Sequence, residues 1–126
     1  MSGRVVLIVE DSQPMAVTLE IALLSIPGLD VAHAGSAQEA LGYLEDADGE
    51  TVGAVITDLN MPRMDGYQLI EHIRSHPRYA RLPIIVLSGE TDPNAPQRAK
   101  AAGADFYFAK PCSPAVVKVA VEQLVK

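Results

Sequence analysis

The stretch Val5-Val6-Leu7-Ile8-Val9-Glu10-Asp11 runs through five apolar, mostly β-branched residues and stops on two acids. An apolar run without alternation reads as a strand buried on both faces, the signature of a parallel sheet. Segments 54–57, 83–87 and 106–109 have the same character, while 29–34 alternates more and is expected near an edge. Between these runs, segments 13–25, 37–45, 65–75, 93–102 and 114–125 carry helical spacing. Local chemistry supports those limits. Pro14 suits a first helical turn, and Ser36 with Glu39 has the form of a capping box. Asp65 is placed to cap the third helix, Pro77 lies just past its end, and Gly103 stops the fourth. Strand and helix alternate five times, which predicts a doubly wound α/β fold with a five-stranded parallel sheet and right-handed crossovers.

The chain has 126 residues, which predicts one compact domain over 1–126 with no room for an output domain. No internal repeat, low-complexity tract or linker interrupts it. Hydrophobic residues make up 48% and charged residues 21%, which disfavours disorder, collagen and coiled coil. The net charge of −6 repels a phosphate backbone, so direct nucleic-acid binding is not expected. The single cysteine, Cys112, excludes an internal disulfide or a Cys-rich zinc site and suits a reducing compartment. No apolar run is long enough to span a bilayer, and Glu10 and Asp11 end the first one too early for a signal peptide. The expectation is a cytoplasmic protein without a membrane partner.

Open parallel sheets bind ligands beyond the carboxyl ends of their strands. Glu10 and Asp11 follow the first predicted strand, Asp58 the third, Ser88 the fourth and Lys110 the fifth. Each has a commonplace reading alone: the Glu-Asp pair as a cap or solvated surface, Asp58 as a turn residue, Ser88 and Lys110 as nothing in particular. Their convergence on one edge is what points to chemistry. Three gathered carboxylates repel one another unless a cation compensates. Hard oxygen donors without His or Cys favour Mg2+ over zinc, with Mn2+ as a substitute. Metal, the Lys110 ammonium and the Ser88 hydroxyl together make a receptor for a dianionic phosphoryl group.

The segments Val9-Glu10-Asp11-Ser12, Ile56-Thr57-Asp58-Leu59-Asn60-Met61-Pro62 with Met64-Asp65-Gly66, Val86-Leu87-Ser88-Gly89 and Lys110-Pro111 resemble the receiver domain of two-component response regulators. The resemblance covers nearly the whole chain. It implies the flavodoxin-like, CheY-like strand order 2-1-3-4-5. It also implies that Asp58 is the phospho-acceptor, taking a phosphoryl group from a kinase phosphohistidine as an acyl phosphate. Asp11, Asp58 and the Asn60 backbone carbonyl would bind Mg2+, with Glu10 acting mostly through a bound water. Lys110 would pair with Asp58 at rest and with a phosphate oxygen afterwards. Ser88 and Tyr107 would form the switch, and a cis peptide before Pro111 would orient Lys110. Asn60 and Glu90 would tune hydrolysis of the acyl phosphate, and this polar pair implies a short-lived phosphorylated state. Partners implied are a sensor histidine kinase or phosphotransfer protein, and a target docking on the face of the fourth helix, fifth strand and fifth helix.

The chain departs from the common pattern at Glu10, where Asp is frequent, at Ser88, where Thr is frequent, and at Cys112, where a bulky apolar residue is common. Arg98, Lys100, Tyr107 and Lys118 are the local candidates for the readout surface, though a solvated helix face accounts for the basic ones. Phe106 and Phe108 alternate to the other sheet face, as core or interface. His33, His72 and His76 read as surface residues, as do Arg74, Arg78 and Arg81, with a small helix-dipole benefit for Arg74. The alternatives are a phosphorelay carrier without its own readout, or a receiver cut from a larger regulator or hybrid kinase. An Asp-based phosphatase of the haloacid dehalogenase type would want an acid where Asn60 stands. Flavodoxin-like cofactor binding would want a hydroxyl-rich first loop. No turnover of an external substrate is expected beyond self-phosphorylation and autodephosphorylation.

Overall fold

In the computed structural model, described over residues 5–46, 52–59, 64–89, 92–110 and 113–124, strands and helices alternate along the chain. The elements are β1 (Val5–Val9), α1 (Gln13–Leu24), β2 (Asp30–Ala34), α2 (Ala37–Asp46), β3 (Val52–Asp58), α3 (Gly66–Ser75), β4 (Ile84–Ser88), α4 (Ala95–Ala102), β5 (Phe106–Ala109) and α5 (Pro114–Leu124). The sheet is parallel in the order β2-β1-β3-β4-β5. No helix among the described residues is long and apolar enough to cross a membrane.

The doubly buried strands divide their side chains between two cores, as period-two alternation requires. Leu7, Val9, Val55, Ile84 and Val86 pack on the side of α2, α3 and α4. Val6, Ile8, Ala54, Ile56, Ile85 and Leu87 pack on the side of α1 and α5. The strand at 29–34 lies at an edge as expected, although it starts at Asp30 because Leu29 turns into the core. The expectation of double burial for 106–109 is corrected. β5 is the opposite edge, with one ladder neighbour and half-buried side chains. Phe106 and Phe108 stack at 6.1 Å on the α1/α5 side, while Tyr107 faces the other core.

Capping follows the sequence with one exchange. Asp65 accepts the Gln68 N–H at 2.9 Å and the Gln68 side chain accepts the Asp65 N–H at 3.0 Å, a complete box opening α3. The Ser36 box is half formed. Its hydroxyl accepts the Glu39 N–H at 3.1 Å, but the Glu39 carboxylate takes the Gly35 N–H at 3.0 Å. Gly103 closes α4 with φ of 124°, and a Cβ there would lie 2.8 Å from the Arg74 side chain.

Arg74 is not a solvated helix-end charge. Its guanidinium donates to the Gly103 carbonyl at 2.7 Å, the Leu82 carbonyl at 2.6 Å and the Asp105 carboxylate at 3.2 Å. Asp105 in turn accepts the Ile84 N–H at 2.8 Å, so one side chain ties the end of α3 to the starts of β4 and β5. Arg74→Met is expected to destabilise the fold by about 2–4 kcal/mol, because charge-assisted bonds are lost and carbonyls are left unsatisfied. Urea unfolding measures this. His33 also departs from a surface reading: it is half-buried and hydrogen-bonded.

Candidate functional site

The order of strands reverses between β1 and β3, and the acids stand at the ends of these two strands. Asp58 is the last residue of β3, paired with Leu87, and is 7% exposed. Its position is set from behind by Gly66. A Cβ on Gly66 would run into the Asp58 carbonyl oxygen and approach the Leu59 Cα to 2.7 Å, and the Gly66 N–H donates to Leu59 O at 3.0 Å. The Met64-Asp65-Gly66 motif thus has a steric reason: α3 must start against the backbone that carries the acid.

Glu10 leaves β1 with its side chain buried and its backbone N–H donating to Ala34 O at 3.0 Å. Asp11 is exposed beside it. One oxygen each from Glu10, Asp11 and Asp58 lie within 4.8 Å of one another, so this cluster can hold a metal ion. All three donors are carboxylates, which fits a hard divalent cation and not a soft one. Lys110 follows β5, and its N–H donates to Ser88 O at 2.7 Å. That bond aims the side chain across the sheet edge, where Nζ lies 2.9 Å from Glu10 Oε1 and 2.9 Å from Asp58 Oδ2. Ser88 ends β4 between these groups and is fully buried.

The electrostatics follow from burial and pairing. Burial pushes the Glu10 carboxyl up; the bonds from Lys110 and the Ser12 N–H and the Lys110 charge pull it down, the Asp58 charge pushes it up again, and the net shift is upward. Burial would lower Lys110, but its bonds to Glu10 and Asp58 and their charges win and raise it. Lys110 is therefore cationic at neutral pH. Its stabilising contribution is present below its ordinary value and lost as pH rises through the raised one. For Glu10 the fold favours the protonated form, so that contribution is present below the unfolded carboxyl value and lost as pH climbs through the folded one. Without divalent ions, wild type should therefore lose thermal stability relative to Glu10→Gln as pH rises from 4 toward neutrality. Melting both proteins across that window checks the sign.

The structure brings Glu10, Asp11, Asp58, Ser88 and Lys110 to one edge. Tyr107 lies within β5 opposite Val86, half-buried, and lines a groove of about 210 Å³ with Pro96, Lys100, Ala104 and Asp105. Arg98 is not a free charge on that face: its guanidinium lies 4.1 Å from the Tyr67 ring centroid, in the seam between α3 and α4. Asn60, Glu90, Pro111 with its expected cis peptide, and Cys112 lie outside the described residues. Sequence reading missed His33, whose Nε2 is 2.8 Å from the Glu10 carbonyl. Only its register beside Ile8, near the end of β1, could have signalled the contact.

The sequence and the fold both have parallels among known proteins. The chain is 35% identical over 116 residues to chemotaxis protein CheY1 of Helicobacter pylori, covering 92% of each. It is 37% identical over 105 residues to the gliding motility regulatory protein of Myxococcus xanthus, covering 83% of this chain but 13% of that much longer protein. Its fold superposes with a TM-score of 0.87 on a response regulator receiver protein from Pseudomonas putida, at 32% identity and 98% coverage of both. The sequence model of the response regulator receiver domain matches residues 6–122, which span every element from β1 to most of α5. With the strand order and the acidic edge agreeing, the chain belongs to the response regulator receiver domain family.

Proposed function

We propose that the chain accepts a phosphoryl group on Asp58 from a sensor histidine kinase or a phosphotransfer protein, and that the phosphorylated form docks a target. The observation that carries this reading is the Lys110 ammonium, 2.9 Å from both Asp58 and Glu10, beside carboxylates with oxygens within 4.8 Å of one another. Such a site gathers more negative than positive charge, so it attracts a divalent cation, and it has a fixed ammonium ready for an incoming dianion. A divalent cation held there would supply positive charge to offset that of the carboxylates and the incoming phosphoryl group. Asp11 and Asp58 would hold it through carboxylate oxygens and Glu10 mostly through a bound water, with Asn60, outside the described residues, as the expected further ligand; hard donors favour Mg2+, with Mn2+ as a substitute.

An Asp58 oxygen attacks phosphorus while the P–N bond of the donor phosphohistidine breaks, and that electron pair leaves with the imidazole nitrogen. Lys110 then meets one phosphate oxygen and the Ser88 hydroxyl another, and Tyr107 reports the change toward α4, β5 and α5. The phosphate shifts the population of the docking conformer only by the free-energy difference it makes between states. Autodephosphorylation, tuned by Asn60 and Glu90, ends the signal. The reaction is expected in the cytoplasm.

Incubation with acetyl phosphate, with and without Mg2+, tests the reading by intact mass. An Mg2+-dependent adduct of one phosphoryl group, at the steady-state level that autodephosphorylation allows, supports it. Absence of any adduct, or sustained turnover of phosphate esters, contradicts it. Pulldown with beryllofluoride then separates a switch from a pure carrier, because a carrier should show no change in target affinity.

A further inference from the structure

We infer that His33 is a positioning residue for the acidic cluster: its ring Nε2–H holds the main-chain carbonyl of Glu10 and so sets where the Glu10 and Asp11 carboxylates stand. The β1–β2 ladder ends at the pair Val9 and Ala34. One residue further, the Glu10 N–H still reaches Ala34 O at 3.0 Å, but the partner chain has turned away at Gly35 into α2. A continuing parallel ladder would offer the Glu10 carbonyl a backbone N–H. The imidazole takes that place, at 2.8 Å. A carbonyl oxygen only accepts, so Nε2 must carry a hydrogen, whichever way the rest of the ring is arranged.

Glu10 is thus held at both ends. Its Oε1 meets Lys110 at 2.9 Å, its Oε2 accepts the Ser12 N–H at 3.2 Å, and its peptide is pinned to β2 by Ala34 and His33. Because Asp11 begins at the peptide whose oxygen His33 holds, releasing that oxygen lets the β1–α1 turn rotate and takes both carboxylates with it. A group behind a ligand that fixes its orientation commonly governs affinity without touching the ion. The inference rests on the reading of Glu10, Asp11 and Asp58 as cation ligands.

The test is a calorimetric Mg2+ titration of wild type, His33→Leu, His33→Gln and Asp11→Asn. Gln sets an amide N–H near the position of Nε2, whereas Leu offers none. His33→Leu should bind Mg2+ about five- to tenfold more weakly, the loss of one hydrogen bond behind a ligand, and His33→Gln should recover most of it. A purely structural role would not be rescued by the amide. If Asp11→Asn loses Mg2+ while His33→Leu keeps wild-type affinity, or if Gln is as impaired as Leu, the positioning role is overturned and the cluster stands. If Asp11→Asn binds like wild type, both fall. Should His33→Leu not fold, the 15N spectrum of the wild-type ring decides: Nε2 must be protonated, and an unprotonated Nε2 overturns the inference.

Discussion

Asp58→Asn is expected to take up no phosphoryl group from acetyl phosphate under conditions where wild type is measurably labelled, a loss on the order of a thousandfold or more in rate. The amide keeps the size of the side chain and can still accept from Lys110, so the fold should persist. What it loses is the nucleophilic oxygen pair and one unit of negative charge. Removing that charge also relieves the repulsion among carboxylates gathered within 4.8 Å, so the metal-free variant should melt above wild type. Its Mg2+ affinity should fall for the same reason. A variant that folds better and reacts less is the outcome expected when charges are assembled for function at a cost in stability. Intact mass after acetyl phosphate and a thermal melt without divalent ions together check both signs.

Lys110→Met has effects of two opposite kinds. In wild type the ammonium lies 2.9 Å from each of two buried carboxylates, and removing it leaves them uncompensated. The metal-free fold should weaken by about 1–3 kcal/mol, less than for a fully enclosed pair because Lys110 is partly open to solvent. Mg2+ binding should move the other way. The ammonium repels a divalent ion and occupies oxygens of two of the carboxylates that would hold it, so deleting it should tighten Mg2+ about tenfold. Phosphoryl uptake should nevertheless slow by about a hundredfold, because the fixed charge that would meet the developing phosphate oxygens is gone. Tighter metal with slower transfer separates electrostatic participation from mere metal recruitment. Calorimetry and single-turnover labelling measure the two limbs.

Much of this arrangement is legible in the chain because local rules and the global fold agree. The acids of Glu10, Asp11 and Asp58 each terminate a run too apolar to be anything but an inner strand, so their meeting follows from parallel pairing alone. Helix limits at Pro14, Asp65 and Gly103 follow from capping chemistry that acts over a few residues. What escaped notice acts across distance. Arg74 looks like an ordinary charge at a helix end, since its carbonyl partners at Gly103 lie 29 positions away. His33 looks like a polar residue on an edge strand until the register sets it beside the end of β1. Lys110 reaches Glu10 across 100 positions, and nothing near either residue announces that Glu10, with its longer side chain, would share the ammonium with Asp58. Strand 106–109 misled for the opposite reason: its composition is that of an inner strand, but edge position is a property of the sheet.

Asp58 is the residue proposed to carry the phosphoryl group. After treatment with acetyl phosphate and Mg2+, reduction of the acyl phosphate with borohydride followed by proteolysis and mass spectrometry locates the modified residue directly. Homoserine is expected at position 58, with Glu10 and Asp11 unmodified. Modification at another residue, or phosphate retained on a histidine or serine with Asp58 intact, would contradict it.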